Sequence, residues 1–160
     1  LCVFIHEINL FIMQRSILVL IGCFLFIAGQ AQNPVRWTVK TKKLDSKTCE
    51  VRIQAAIEEP WHIYSQTTPD AGPLPTKVVF KSNPLVELVG NVKEVGLIRK
   101  TYEEVFGIHV KYIEEKAEYV QLIRLKKPVK TNLSVRIEYM ACTDNKCLPP
   151  DEAIFNISLQ

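Results

Sequence analysis

The chain has 160 residues, of which 48% are hydrophobic and 23% charged. This length and balance fit one globular domain with a hydrophobic core and exclude two domains of ordinary size. The net charge of +3 is spread along the sequence without a run of like charges, which argues against a protein that binds nucleic acid or an anionic membrane.

The first part of the chain has the pattern of an export signal. Arg15 provides a basic start, residues 17–28 form an apolar run, and Gly29 and Ala31 are small residues at the −3 and −1 positions of a cleavage site. Cleavage is therefore predicted after Ala31. The apolar run is shorter than the ~20 residues that span a bilayer, so no stable membrane span is expected after cleavage.

These features predict the domain organisation. Residues 1–12 precede the first methionine and are interpreted as an upstream extension, so residues 1–31 comprise that extension and the cleaved signal peptide. Residues 32–160 are predicted to form one domain. Export predicts a periplasmic protein, in an oxidising compartment where a close pair of cysteines forms a disulfide unless another protein reduces it.

The remaining chain alternates apolar and polar residues with the period of two that is typical of half-buried strands. No stretch shows a helical period over a helix's usual length. A proline-rich segment at residues 68–75 predicts a loop, and Gly90-Asn91 predicts a turn between two short strands. The predicted strands cover residues 37–42, 49–57, 76–81, 86–89, 92–98, 108–113, 119–125, 133–140 and 153–159.

Short strands at close spacing, with proline and glycine in their connections, predict an all-β protein. The expected architecture is an antiparallel β-sandwich of immunoglobulin-like type. The buried disulfide that often links the two sheets of such a sandwich has no counterpart here, because the two neighbouring cysteines lie in one local segment.

Cleavage would leave three cysteines, of which two lie close together. Cys142 and Cys147 flank a four-residue polar turn, which would place their Cβ atoms ~4.5–5.5 Å apart, close to the ~3.5–4.5 Å of a disulfide. Cys49 shares its parity with the apolar residues of its strand and is predicted to be an unreactive core residue.

Three interpretations of the Cys142/Cys147 pair follow from the residues. A zinc site is disfavoured because zinc needs four ligands, and no other ligand lies at a suitable spacing. A permanent clip and an exchanging dithiol both remain open. A ring this short stabilises the fold by only ~2 kcal/mol in the loop-entropy model, and short exposed disulfides are often reducible.

Four motifs point to one family: Cys-Thr-Asp-Asn-Lys-Cys-Leu-Pro-Pro at 142–150, Pro-Trp-His-Ile-Tyr-Ser at 60–65, Gly-Pro-Leu-Pro-Thr at 72–76 and Tyr-Glu-Glu-Val-Phe-Gly at 102–107. In these motifs the sequence resembles the N-terminal periplasmic domain of the thiol:disulfide interchange protein DsbD. The resemblance spans essentially all of the predicted mature chain and implies an immunoglobulin-like sandwich that passes reducing equivalents. The implied partners are a thioredoxin-like electron donor and periplasmic disulfide-containing acceptor proteins, and no cofactor is implied.

The resemblance also implies roles for individual residues. Cys142 and Cys147 become the redox pair, with Cys147 forming the mixed disulfide with partners. His62 and Tyr64 match aromatic positions that line the site, although two ordinary rings half-buried on a strand would give the same pattern. The residues that match the cap loop, which covers the pair until a partner displaces it, are Glu103, Glu104, Val105, Phe106 and Gly107.

Three features depart from the family pattern. The segment between the cysteines is one residue shorter than in the best-known members, and the capping phenylalanine falls on Val105, with Phe106 one step later. The chain ends at Gln160, without the family's membrane domain and thioredoxin-like domain, so we expect a free-standing relay or a fragment of a longer protein. The alternative function is a secreted immunoglobulin-like binding or structural module with a static hairpin disulfide.

Overall fold

A computed structural model describes residues 33–104 and 106–159. The predictions for the upstream extension and the export signal lie outside the described residues. The described part of the chain forms nine strands: β1 (Val35–Lys43), β2 (Thr48–Ile57), β3 (His62–Tyr64), β4 (Lys77–Phe80), β5 (Val86–Glu103), β6 (Ile108–Leu125), β7 (Thr131–Tyr139), β8 (Ala141–Cys142) and β9 (Asp151–Leu159).

The strands form two antiparallel sheets. One sheet has six strands in the order β1-β2-β6-β3-β8, with β5 also paired to β6, and the other has three strands in the order β4-β7-β9. The predicted all-β, immunoglobulin-like antiparallel sandwich is confirmed.

The core lies on the faces that the two sheets turn toward each other. On β2 every second residue is buried from Cys49 onward, as period-two alternation requires. Cys49 is buried as predicted, and burial raises the pKa of its thiol. The largest fully buried members of the main core are Tyr119, Tyr139, Ile53, Ile63, Ile113, Ile123, Leu125, Leu133, Ile137, Leu159 and Val51.

Two predicted strands and the turn between them are one continuous strand. Residues 86–103 form β5, and the prediction of a turn at Gly90-Asn91 is wrong. Gly90 has φ 72° and lies where the β5–β6 register shifts between Val89 and Lys93. A glycine with positive φ occurs in β-bulges as well as in turns. Gly90 in the sequence therefore could not distinguish a bulge from a turn.

The strands predicted at residues 108–113 and 119–125 are also one strand, β6. Glu115 interrupts it with φ 59°. On one side of Glu115, β6 pairs with β3 through Tyr112–Glu114, and on the other side it pairs with β2 from Lys116 onward. This irregularity makes room for β3, which carries part of the candidate site.

The proline-rich loop at residues 68–75 is confirmed and packs on the domain through hydrogen bonds. The Thr68 hydroxyl donates to the Lys111 carbonyl at 2.6 Å, and the Thr76 hydroxyl donates to the Tyr64 carbonyl at 2.6 Å. Both threonines are buried. The loop therefore fixes the end of β3 against β6.

The chain changes sheets just before the cysteine pair. β7 ends at Tyr139, one residue before the predicted end at Met140, and the next strand, β8, pairs with β3 in the other sheet. Ala141 faces the main core, whereas Cys142 belongs to a second, smaller apolar cluster. The approach to the first cysteine is therefore a crossing from one sheet to the other, between Tyr139 and Ala141.

Candidate functional site

The Cys142/Cys147 pair closes a tight hairpin. The two sulfurs form a disulfide across a Cα–Cα distance of 4.0 Å, and the two residues form an isolated antiparallel bridge. The N–H of Thr143 donates to the Lys146 carbonyl at 2.7 Å. The Thr143 hydroxyl oxygen accepts the N–H of Asn145 at 3.3 Å and that of Lys146 at 3.2 Å. The turn therefore supplies most of its own hydrogen bonds.

The two cysteines differ in access. Cys142 is 1% exposed and packs with Tyr64 and Val110 in the smaller apolar cluster, whereas Cys147 is exposed. An incoming thiolate needs a path to the sulfur that it attacks. The geometry therefore favours attack at Cys147.

Strand β3 places two rings beside the pair. His62 lies directly opposite Cys142 in the β3–β8 pairing, and Tyr64 lies opposite Tyr112 in the β3–β6 pairing. The His62 ring stacks edge-on to Tyr64 at 5.3 Å between centroids and lies 4.8 Å from the Tyr112 ring. His62 Nε2 and the Tyr64 hydroxyl oxygen are 3.5 Å apart.

Burial sets the protonation of these two rings. It lowers the pKa of His62, against the opposing effect of the carboxylates of Asp144, Glu103 and Glu114. Burial, with a contribution from Glu103, raises the pKa of Tyr64 to about 12. At neutral pH the site therefore holds a neutral imidazole and a neutral phenol.

The segment predicted as a cap loop is the tip of the β5–β6 hairpin. Glu103 pairs with Ile108, and its carbonyl accepts the N–H of Phe106 at 3.2 Å and that of Gly107 at 2.8 Å. Gly107 has φ 66°, a conformation that favours glycine. Val105, the other candidate capping residue, lies outside the described residues.

A pocket of about 460 Å³ joins the hairpin tip to the cysteine turn. Phe106, 42% exposed, contributes to one wall, and Cys147 contributes to the other. The structure thus brings Glu103 and Phe106 of the predicted cap loop together with the ring pair and the exposed cysteine, whereas Glu104 and Gly107 do not line the pocket. The lining residues are His62, Tyr64, Thr101, Tyr102, Glu103, Phe106, Tyr112, Thr143, Asp144, Asn145, Lys146 and Cys147.

Lys146, the last residue of the turn between the cysteines, makes a cation–π contact. The Lys146 ammonium group is 5.4 Å from the centroid of the Trp61 ring, a cation–π contact of about 0.5–1 kcal/mol at an exposed site. Trp61 directly precedes β3. The contact therefore ties the cysteine turn to the start of the strand that carries His62.

The sequence interpretation missed Tyr112 and Thr101. Both lie on long strands, where the alternation of apolar and polar residues identifies the buried face. The alternation does not show which of the remaining residues contact the turn between Cys142 and Cys147. The β3–β6 register that brings Tyr112 to Tyr64 joins segments far apart in sequence.

Residues 33–104 and 106–159, the part of the chain that the structure describes, contain neither a metal-binding cluster nor a membrane-spanning helix. No cluster of three or more histidine, cysteine, aspartate or glutamate side chains in these ranges is arranged to bind a metal ion. No helix in the same ranges is long and apolar enough to cross a membrane.

Comparison with known proteins relates this chain to solved structures only. No family model and no curated protein matches it. The N-terminal periplasmic domain of ScsB from Proteus mirabilis matches with a TM-score of 0.58 and 12% identity over 80% of this chain and 48% of that one. The chain therefore spans about half the length of that structure.

Two structures from Neisseria meningitidis also match. The reduced DsbD N-terminal domain gives a TM-score of 0.48 and 18% identity over 75% of this chain and 83% of that one. The complex of the DsbD and PilB N-terminal domains gives a TM-score of 0.47 and 14% identity over 75% of this chain and 80% of that one. At such identities, the ScsB match shows a shared fold, and a fold by itself does not define function.

Proposed function

We propose that this chain is a periplasmic thiol-disulfide exchange relay that uses the Cys142–Cys147 pair. The observation that carries the proposal is the unequal placement of the two sulfurs. Cys142 is buried, whereas Cys147 is exposed at a pocket between a cysteine turn and a hairpin tip. A purely structural clip has no need of such a pocket.

The exchange follows from this placement. A partner thiolate attacks the Cys147 sulfur, the Cys142–Cys147 bond breaks, and the Cys142 sulfur leaves with the bonding electrons. The partner's second cysteine, as a thiolate, then attacks the sulfur of the partner's first cysteine in the mixed disulfide. Cys147 leaves as a thiolate. The partner is oxidised to a disulfide, and the cysteine pair gains two electrons and takes up two protons.

The reduced pair would pass its electrons on by the same steps in reverse. Cys147 would attack the disulfide of an acceptor protein, and Cys142 would close the ring and release the acceptor as a dithiol. The proposed donor is a thioredoxin-like protein, and the proposed acceptors are periplasmic disulfide-containing proteins. The sulfurs carry the electrons, so the proposal requires no cofactor.

Export through the signal peptide at residues 13–31 belongs to the proposal. Its support is the basic, apolar and small-residue pattern of that segment. The shared fold with a periplasmic domain agrees with this location.

The reduction potential of the pair tests the proposed function. We expect a potential above about −300 mV, the range of exchanging disulfides, because permanent structural disulfides in exported proteins lie below that value. The measurement equilibrates the protein with glutathione or a thioredoxin-like couple and counts free thiols. A Cys49→Ala variant should give the same value, because Cys49 is free and buried. A potential below about −300 mV would instead support the secreted binding or structural module with a static disulfide.

The hairpin tip is proposed to limit access to Cys147. Replacing Phe106 by alanine, alone and together with Val105, should speed reduction of the disulfide by glutathione several-fold, because Phe106 lines the pocket that Cys147 opens into. The measurement is the pseudo-first-order rate at excess glutathione. Leu97→Ala is the matched control, since Leu97 is an exposed apolar residue of β5 outside the pocket lining. An unchanged rate in both cap variants would mean that the tip does not shield the sulfur.

A further inference from the structure

His62 is the side chain of β3 that faces the buried sulfur. It is the direct partner of Cys142 in an antiparallel pairing, and residues opposite each other in such a pair project from the same face with Cβ atoms ~4.5–5.5 Å apart. His62 is itself 6% exposed. The ring and the sulfur of Cys142 are therefore neighbours on one side of the sheet.

The exchange cycle requires a base beside the Cys142 sulfur. When the reduced pair closes, Cys142 must attack as a thiolate. Its surroundings are an apolar cluster with Tyr64 and Val110, and burial of that kind favours the neutral thiol. Solvent has little access to the sulfur, so a neighbouring side chain has to accept the proton.

His62 is in the protonation state that this step needs. Burial keeps its imidazole neutral at neutral pH, and a neutral imidazole has one free nitrogen that accepts a proton. The neighbouring Tyr64 phenol is also neutral at this pH. The aromatic contacts of His62 with Tyr64 and Tyr112 hold the ring in place.

The charges around His62 favour the imidazolium once it forms. Three carboxylates act on the ring from three elements: Glu103 from β5, Glu114 from β6 and Asp144 from the cysteine turn. The Arg99 guanidinium reduces the effect of one of them by pairing with Glu114 at 2.9 Å. The ring is therefore neutral at rest and surrounded by groups that stabilise a transferred proton.

We propose, on the basis of the proposed function, that His62 is the proton acceptor for Cys142 when the ring closes and the proton donor when it opens. On closing, the Cys142 S–H proton moves to the His62 imidazole. The thiolate attacks the Cys147 sulfur of the mixed disulfide, and the acceptor's sulfur leaves with the bonding electrons. On opening, the His62 imidazole takes up a proton from the solvent of the pocket and passes it to the departing Cys142 thiolate.

A two-phase reaction with the chromogenic aromatic disulfide DTNB separates the two steps. The reduced exported protein, in a Cys49→Ala background, first releases one coloured thiolate as Cys147 attacks the reagent. It then releases a second as Cys142 attacks the Cys147 mixed disulfide. The first phase reports Cys147, and the second reports the proton transfer from Cys142.

Replacing His62 by glutamine or by phenylalanine should leave the first phase unchanged and slow the second by about 100-fold at pH 7, the lower end of the range for general acid–base catalysis. Glutamine keeps a polar side chain and phenylalanine keeps a ring, so a role in packing alone would be rescued by one of them. In the unsubstituted protein His62 should stop assisting the second phase only at pH values below the ordinary imidazole value of 6.5, because burial lowers the pKa of His62 from that value and the imidazolium cannot accept a proton. The difference between the variants and the parent should disappear at a pH high enough to ionise the thiol directly.

His109→Gln is the matched control, because His109 is exposed and contacts Tyr102 on the hairpin. It should leave both phases unchanged. A second phase with the same rate and pH profile in both His62 variants overturns the proton-acceptor role while leaving the relay intact. Absence of both phases in the parent protein overturns the proposed function, and this inference with it.

Discussion

Replacing Cys142 by alanine is expected to convert the protein into a trap for its electron donor. In that variant the Cys147 thiolate should attack a thioredoxin-like partner whose second cysteine is removed and whose first cysteine carries the aromatic thiolate of DTNB as a mixed disulfide. The aromatic thiolate leaves, and the partner accumulates as a mixed disulfide with Cys147. In Cys147→Ala almost no adduct should form. The expected contrast is close to all or none, because Cys142 is 1% exposed whereas Cys147 is exposed at the pocket.

The measurement is the shift in mass on non-reducing gels, followed by identification of the linked cysteine by peptide mass mapping. Cys49→Ala should behave as the parent does, since Cys49 is buried and its thiol pKa is raised by burial. An adduct found only with Cys147→Ala would reverse the assigned roles. No adduct with either variant, together with a parent disulfide that resists reduction, would identify the pair as a structural clip.

The sequence was sufficient to predict features that depend on neighbouring residues. The alternation in β2, β7 and β9 marks their core faces directly, and these strands lie within a few residues of their predicted bounds. The short polar turn between Cys142 and Cys147 likewise predicts that the two thiols come together. In each case the information lies within a segment of about ten residues or fewer, so local pattern and local structure agree.

Features that depend on distant pairing were not predictable in this way. The opposition of His62 and Cys142 follows from the β3–β8 pairing, which joins two very short strands whose partners no local pattern specifies. The change of sheet at Met140 is a tertiary feature of the same kind. At Gly90 the local signal was present, but a bulge and a turn both use a glycine with positive φ.

The candidate site depends on the core through strand β3. Its middle residue, Ile63, faces the main core, and its two flanking residues, His62 and Tyr64, line the pocket. β3 is only three residues long and pairs with β6 on one side and β8 on the other. Packing of Ile63 therefore helps to position both rings and the strand that carries Cys142.

Replacing Ile63 by alanine should lower the free energy of unfolding by about 2–5 kcal/mol, as for other large-to-small substitutions at fully buried sites. Ile63 is fully buried, and its neighbours on β6 and β8 cannot move inward without breaking their pairing with β3. The measurement is urea-induced unfolding with the disulfide kept oxidised, and the slope with denaturant should stay unchanged.

Ile154→Ala makes the same chemical change at a residue of β9 that is 57% exposed, and it should alter the free energy of unfolding by no more than about 0.5 kcal/mol. The comparison isolates burial, since the side chains are identical and both lie on strands. Equal losses in the two variants would contradict the packing role of Ile63. A loss below about 1 kcal/mol for Ile63→Ala would do so as well, since the cavity left by a fully buried isoleucine costs more than that.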